Sequence, residues 1–206
     1  MNARTRTIAA TSTMLVGAAA ALTVAAAPAS AAPALTVAYD ASGSTLVKKP
    51  NSTVKLGPTT LTNYLNSDGT FTADLPLPTT TSAFKVIGFL PAKATVDFIP
   101  VGKAVGRLVA PRVSATATYY LKLSNVTLGG LPTFVGNNCR TAAPVTIPVA
   151  TPTGERFDIN RGGNLTGTYT IGKFANCGLT TFIVNQLVPG AGNTVQFTLS
   201  NGRGVS

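Results

Sequence analysis

The 206-residue sequence has no histidine and no tryptophan, and it has only two cysteines and six acidic residues. Without histidine there is no Ser-His-Asp triad and no imidazole ligand for zinc, and two cysteines are too few for a thiolate zinc cluster. A nucleophilic cysteine would also lack the base that activates it. We therefore predict a protein that is not an enzyme, with no catalytic residues, no metal site and no cofactor.

Long apolar runs are missing as well, except in the first 31 residues. There Arg4 and Arg6 precede a run of Ala, Leu and Val that ends in Ala29-Ser30-Ala31, the pattern of a secretory signal peptide. We predict cleavage after Ala31. An uncleaved anchor is the alternative, which is disfavoured because the run is short and rich in weakly apolar alanine. No later stretch of about 20 apolar residues exists, so the mature chain, 32–206, has no predicted transmembrane helix.

The two cysteines, Cys139 and Cys177, are predicted to form a disulfide. An exported chain enters an oxidising compartment in which paired thiols become disulfides. Closing a loop of this length stabilises a fold by about 4 kcal/mol in the chain-entropy model. The alternatives are a reactive or metal-bound thiol and two free buried cysteines.

The mature chain is poor in charge and rich in Thr, Val, Gly and Pro, a composition typical of β-strands. In "VSATATYYLKLS", residues 113–124, apolar and polar side chains alternate over twelve positions, which predicts a long strand with one solvated face. A shorter alternation over 104–110 and the turn "APR" predict a hairpin with it. Further predicted strands cover 34–39, 52–56, 70–75, 84–90, 94–99, 144–149, 165–171, 180–187 and 194–200. Helix signals are almost absent. We expect an all-β fold, a single antiparallel β-sandwich or partly closed barrel over 32–206, with one disulfide.

Ordered motifs run through nearly all of the mature chain: "KLGP" at 55–58, "DLPLP" at 74–78, "GFLPAKATVDFIPVG" at 88–102, "NCRTAAPV" at 138–145, "GGNLTGTYTIGKFANCGLTT" at 162–181 and "PGAGNTVQFTL" at 189–199. In these motifs the chain resembles a family of secreted Actinobacterial all-β proteins of unknown function. The resemblance implies an exported β domain that carries a disulfide, and it transfers no catalytic residues.

Two enzyme motifs appear by chance. "STVK" from Ser52 to Lys55 and "SAFK" from Ser82 to Lys85 match the S-x-x-K pattern of penicillin-binding enzymes. That pattern needs a helix, because positions i and i+3 of a strand point to opposite sides, and no S-D-N or K-T-G companion is present. "GTYTIGKF" at 167–174 matches a phosphate loop only in part, since Phe replaces the Ser or Thr that holds magnesium.

The acidic residues are too sparse to indicate a site. Glu155 and Asp158 lie beside arginines, and a glycosidase pair from distant segments, such as Asp74 with Asp97, is the weaker alternative to solvated turn charges. "DINRGGN" at 158–164 offers oxygen donors in a glycine-rich stretch but lacks the closing glutamate of a calcium loop. We interpret this segment as a turn, and a weak calcium site is the alternative.

Charge gives the positive evidence. Without Arg4 and Arg6, fourteen of the sixteen Lys and Arg remain against six Asp and Glu, a net charge of +8. By strand parity Lys103, Arg107 and Lys122 point away from the apolar face, with Tyr120 beside Lys122. These four side chains are our candidate anion-binding strip. The alternative is that the lysines only keep exposed strands from aggregating.

These observations predict an exported, non-enzymatic β domain that binds anionic wall polymers or lipid head groups, secreted or held noncovalently at the cell envelope. Nucleic acid is not an expected partner, because the chain is exported and the basic residues lack interleaved aromatics. A membrane-associated β-barrel or apolar-ligand carrier is one alternative, since "FKVIGFL" and "TFIVNQL" would carry apolar residues on both faces of a strand. An unrecognised secreted hydrolase is the other.

Overall fold

The computed structural model describes residues 33–86 and 89–205. Within them the chain is built of strands and a single short helix. The strands are β1 Leu35–Val47, β2 Ser52–Leu65, β3 Thr70–Asp74, β4 Thr80–Val86, β5 Leu90–Pro100, β6 Ala104–Val109, β7 Arg112–Leu128, β8 Leu131–Pro132, β9 Arg140–Thr141, β10 Val145–Ala150, β11 Gly162–Ile171, β12 Phe174–Ala175 and β13 Gly190–Gly204. A 3₁₀ turn, Gly178–Thr180, leads into the helix α1, Thr181–Leu187.

Eight of these strands form a closed antiparallel barrel. Their order is β10, β11, β13, β1, β2, β3, β6 and β7, and pairing of β7 with β10 closes the circle. The prediction of an antiparallel all-β fold is confirmed, and of the two architectures expected from the sequence the barrel is the one that forms. The disulfide between Cys139 and Cys177 is confirmed as well.

The longest of the described strands, β7, joins the barrel to an added sheet. Its first half pairs with β6 and its second half with β5, which in turn pairs with β4. Its other edge pairs first with β10 and then with β9 and β8. The alternation predicted for this strand is confirmed, because Val113, Tyr119, Leu121 and Leu123 are buried while the residues between them are more exposed.

Strand directions define two ends of the barrel. The turns 48–51 and 129–130, the paired residues Val86 and Leu90 of β4 and β5, and α1 lie at the end that we call the helix end. The turns 66–69 and 110–111 and the loop 151–161 lie at the opposite end. Inside the barrel, side chains such as Phe71, Leu121 and Phe197 fill the core and leave an apolar cavity of about 80 Å³. A second apolar cavity, of about 100 Å³, lies under α1.

Neighbouring strands of the barrel approach each other closely at two glycines. A Cβ atom at Gly167 of β11 would collide with the carbonyl oxygen of Pro148 on β10, and one at Gly106 of β6 would lie 2.5 Å from the carbonyl oxygen of Ser114 on β7. Only glycine lets the neighbouring backbones approach this closely.

Two strand predictions are wrong. Residues 180–187, predicted as a strand, form the end of the 3₁₀ turn and α1. Their β-branched composition favours a strand, but tertiary contacts override it: the Asn185 side chain binds both backbone groups of Phe174, and the disulfide fixes Cys177 just before the turn.

The second error is the continuous strand 84–90. β4 ends at Val86 and β5 begins at Leu90, with the two residues paired across a hairpin, and residues 87 and 88 lie outside the described residues. β4 begins at Thr80, four residues before the predicted start of the strand. The two segments whose apolarity on both faces favoured a carrier or membrane barrel are therefore not strands of that kind.

Candidate functional site

The four side chains of the predicted strip do not form one site. Arg107 pairs with Ser114 of β7, whereas Lys122 lies eight residues further along that strand, which corresponds to about 26 Å. Lys103 forms an ion pair with Asp74, with 3.0 Å between Nζ and Oδ2, and its Nζ lies 3.7 Å from the centre of the Tyr64 ring. Its hydrogen bond to Asp74 raises the pKa of Lys103. The ammonium group of Lys103 thus already has Asp74 and Tyr64 as partners within the protein.

Tyr120 and Lys122 do lie together on the outer side of β7, but the partner of Tyr120 is a residue that the sequence did not indicate. The guanidinium of Arg140 stacks over the Tyr120 ring at 4.7 Å, and Arg140 is paired with Lys122 across β9 and β7. On the other edge Lys122 faces Asp97. Arg140 reaches this place because the two-residue strand β9 follows Cys139, a position that no local pattern predicts.

All six carboxylates of the chain accept hydrogen bonds from the protein itself. The donors are Asn201 and Arg203 for Asp40, Thr70 for Asp68, Tyr64 and Lys103 for Asp74, Thr79 for Asp97, Asn164 for Glu155, and the amides of Asn160 and Arg161 for Asp158. These bonds lower the pKa of Asp40, Asp68 and Asp158. The negative charges are thus held by local partners.

The basic side chains outnumber these carboxylates. Of the fourteen Lys and Arg after residue 31, only Lys103 and Arg203 form ion pairs among residues 33–86 and 89–205. Of the others, Arg112 donates to the carbonyl oxygen of Pro152 and Arg140 stacks on Tyr120, while Lys48, Lys49, Lys85 and Lys93 are exposed.

Large apolar side chains are exposed at the helix end. Phe89, Leu131, Phe134, Leu179 and Phe182 each leave between 73% and 99% of their surface accessible. Phe89 directly precedes β5, Leu131 begins β8, and Phe134 lies between β8 and β9. Leu179 belongs to the 3₁₀ turn and Phe182 to α1.

The segments that carry these exposed side chains all border the apolar cavity under α1. Val86, Leu128, Val135, Thr180 and Ile183, which are close in sequence to the five exposed residues, all line the cavity under α1. The amide of Gly129 also donates to the carbonyl oxygen of Pro91 at 2.8 Å, which joins two of the hairpin tips. The five exposed side chains therefore belong to one end of the molecule.

Four lysines accompany this apolar surface. Lys48 and Lys49 form the turn between β1 and β2, which the buried Asn193 holds by accepting a hydrogen bond from the Lys48 amide at 3.0 Å. Lys85 and Lys93 are exposed on the β4–β5 hairpin. In the described part of the chain no carboxylate lies in the turns of the helix end, since Asp68, Glu155 and Asp158 belong to the opposite end and the other three lie along strands.

The other motifs resolve into ordinary structure. Ser52 and Ser82 are buried and share a hydrogen bond of 2.7 Å, whereas Lys55 and Lys85 are exposed, as strand parity predicts. "GTYTIGKF" begins within β11, which leaves no phosphate loop.

The stretch "DINRGGN" is a turn over 158–161, as we interpreted it, and its last three residues begin β11. Asp158 Oδ1 accepts the amides of Asn160 and Arg161 at 2.8 and 2.9 Å. Asn164 turns away, to Glu155 and Thr198, so the three oxygen donors of the calcium pattern do not converge.

Comparison with protein-family models, with curated proteins and with solved structures gives no match for this chain. No helix in residues 33–86 and 89–205 has the length and apolarity needed to cross a bilayer.

Proposed function

We propose that this protein is exported, loses its first 31 residues and acts outside the cell as a non-enzymatic barrel that binds anionic surfaces. The observation that carries the proposal is the excess of basic side chains: fourteen Lys and Arg follow residue 31 against six Asp and Glu, and only Lys103 and Arg203 form ion pairs in the described residues. A surface of this kind attracts phosphate- or carboxylate-bearing polymers and lipid head groups. The disulfide supports export, because such bonds persist in oxidising compartments.

The first test is retention on a phosphate polymer. Purified protein is passed over beads that carry poly(glycerol phosphate) and over neutral dextran beads. We expect retention on the phosphate beads at low salt and release at about 1 M salt, where screening reduces the reach of a charge to about 3 Å. Equal retention at both salt concentrations, or on both bead types, contradicts the proposal.

Charge variants sharpen the test. Changing Lys85, Lys93 and Lys122 to Gln is expected to weaken retention about tenfold, because three outward charges are lost. The matched control changes the same three residues to Arg, which keeps the charge and should keep the retention.

Mass spectrometry of the protein recovered from an exporting host tests the predicted cleavage after Ala31.

The carrier alternative has less support. Ligand pockets usually enclose about 300–1,000 Å³, and the two apolar cavities here measure about 80 and 100 Å³. Their linings pack as a core. A lipid-sized ligand would fit only after the barrel had separated, so we propose the outer surface as the binding surface.

A further inference from the structure

The exposed apolar residues of the helix end need a partner. Contiguous large apolar side chains on a surface mark an interaction site more often than scattered ones do. Here they occupy the tips of separate segments around one cavity, with Phe134 85% and Leu179 99% exposed. The disulfide and the hydrogen bonds between Asn185 and Phe174 hold α1 in place beneath these side chains. The surface is therefore part of the folded barrel.

The charges around this surface select the partner. Lys48, Lys49, Lys85 and Lys93 lie at the same end, and none of the six carboxylates does, within the residues described. A surface that is apolar at its tips and cationic around them complements a bilayer interface, where an apolar phase lies just beneath anionic head groups.

The alternatives fit less well. A second copy docked through the same end would bring lysines against lysines, because a two-fold interface places identical patches opposite each other. A soluble anionic polymer would pair with the lysines but would leave Phe and Leu side chains in water.

We infer that the helix end docks on anionic lipid bilayers, with Phe89, Leu131, Phe134, Leu179 and Phe182 entering the head-group and acyl boundary and the four lysines contacting the head groups. The barrel then stands on the membrane with its opposite end directed away. This inference rests on the proposed function, because it names lipid as the anionic surface that the exported protein meets.

The absence of tryptophan from the chain provides a spectroscopic test. A single substitution, Phe134→Trp, places the only tryptophan at the docking surface, and Val109→Trp places it at an exposed apolar position of the opposite end. With vesicles of phosphatidylglycerol and phosphatidylcholine, we expect a blue shift of F134W emission and quenching by brominated lipid, and no change for V109W. Identical behaviour of the two proteins overturns the inference.

Binding variants provide an independent measurement. Flotation with the same vesicles should show at least about a tenfold loss of binding for F134S/F182S, because two inserted rings are removed. The control V105S/V109S, which alters exposed apolar residues away from the helix end, should bind like the wild type. K48Q/K49Q should lose about tenfold on anionic vesicles, and K48R/K49R should not. All proteins are compared in the oxidised form recovered from the same host, after thermal melting has shown that each is folded.

The outcomes separate this inference from the proposed function. Retention on poly(glycerol phosphate) without any vesicle binding overturns the lipid inference and leaves the proposed function standing. Sedimentation without lipid tests for a second copy. If the protein self-associates and F134S/F182S abolishes this association, a second copy is the occupant and the inference is overturned. Vesicle binding that is insensitive to both F134S/F182S and K48Q/K49Q also overturns it.

Discussion

At the residue scale, two buried tyrosines tie loops to the barrel. The Tyr39 hydroxyl donates to the carbonyl oxygen of Ile159 at 2.8 Å, and the Tyr119 hydroxyl donates to that of Leu75 at 2.7 Å. Burial raises the pKa of both phenols to about 12, and for Tyr39 the negative charge of Asp158 adds to the effect. Each ring thus fills the core while its hydroxyl satisfies a loop carbonyl that would otherwise lack a donor.

These pKa values predict alkaline behaviour. A group whose pKa is raised by folding contributes stability that is fully present below its unfolded pKa, about 10, and is lost as the pH rises through its folded value, about 12. We therefore expect part of the tyrosinate absorbance to appear only towards pH 12, together with loss of the native circular dichroism signal. In denaturant the whole absorbance change should occur near pH 10.

Two variants assign this late step. In Y39F, and likewise in Y119F, the absorbance change near pH 12 should be smaller than in the wild type by the contribution of one tyrosine. If the native protein ionises all of its tyrosines near pH 10 without unfolding, the assignment of Tyr39 and Tyr119 as buried and hydrogen-bonded is wrong.

At the scale of single elements, the side chain of Asn185 links α1 to the strand β12. Asn185 Oδ1 accepts the amide of Phe174 at 2.7 Å, and its Nδ2 donates to the carbonyl oxygen of the same residue at 2.9 Å. The amide side chain thereby continues the backbone pairing of β12, while the helix buries only Val184 of its own residues. A seven-residue helix is too short to be stable by itself, so it depends on tertiary contacts such as this one.

Replacing Asn185 should loosen the helix. We expect N185A to lower the free energy of unfolding by about 1–3 kcal/mol, because it removes two hydrogen bonds and leaves partly buried backbone groups without partners. Q186A, which changes the exposed neighbouring residue, should have an effect below about 0.5 kcal/mol. Urea unfolding of both variants measures the difference, and equal stabilities would show that other contacts hold α1.

The elements also show what could be predicted from the sequence. β7 and the β6–β7 hairpin were predictable because alternation over neighbouring residues reports a solvated face directly. α1 was not, since its conformation depends on Phe174 and on the disulfide rather than on its own composition. Strand parity correctly placed Lys122 outside but could not reveal that Lys103 meets Asp74, because β3 and β6 come together only in the closed barrel.

At the scale of the whole molecule, the helix end illustrates the same limit. Its five exposed apolar residues lie in segments that are far apart in sequence, and no local pattern connects Phe89 with Phe182. The net positive charge was evident from composition, whereas the grouping of Lys48, Lys49, Lys85 and Lys93 at one end required the fold. The general expectation of a basic, non-enzymatic binding protein therefore came from the sequence, whereas the position that we propose for its binding surface rests on the fold.

The disulfide acts at this scale too. Cys139 and Cys177 are fully buried and 38 residues apart, and the loop that they close contains the barrel strands β10 and β11. We expect C139S/C177S to lose about 4 kcal/mol in free energy of unfolding, measured by guanidinium denaturation, because the unfolded chain regains the entropy of an open loop.

Reduced wild-type protein is the control for this measurement. It should unfold at a denaturant concentration close to that of the double variant, since both lack the cross-link. A loss below about 1 kcal/mol would mean that the cross-link contributes little to the stability of the barrel and acts mainly on the position of α1.

The closure of the barrel determines the order in which the molecule can be completed. β13 lies between β11 and β1, so the last strand supplies the missing neighbour on both sides at once. In a chain that emerges from a translocation channel with its amino end first, β1 presents an unpaired edge until β13 arrives, and unpaired edges recruit strands from other chains. A chain truncated after α1 should therefore aggregate rather than fold. A chaperone that covers the edge of β1 would prevent most aggregation if it binds before the fifteen residues of β13 are released.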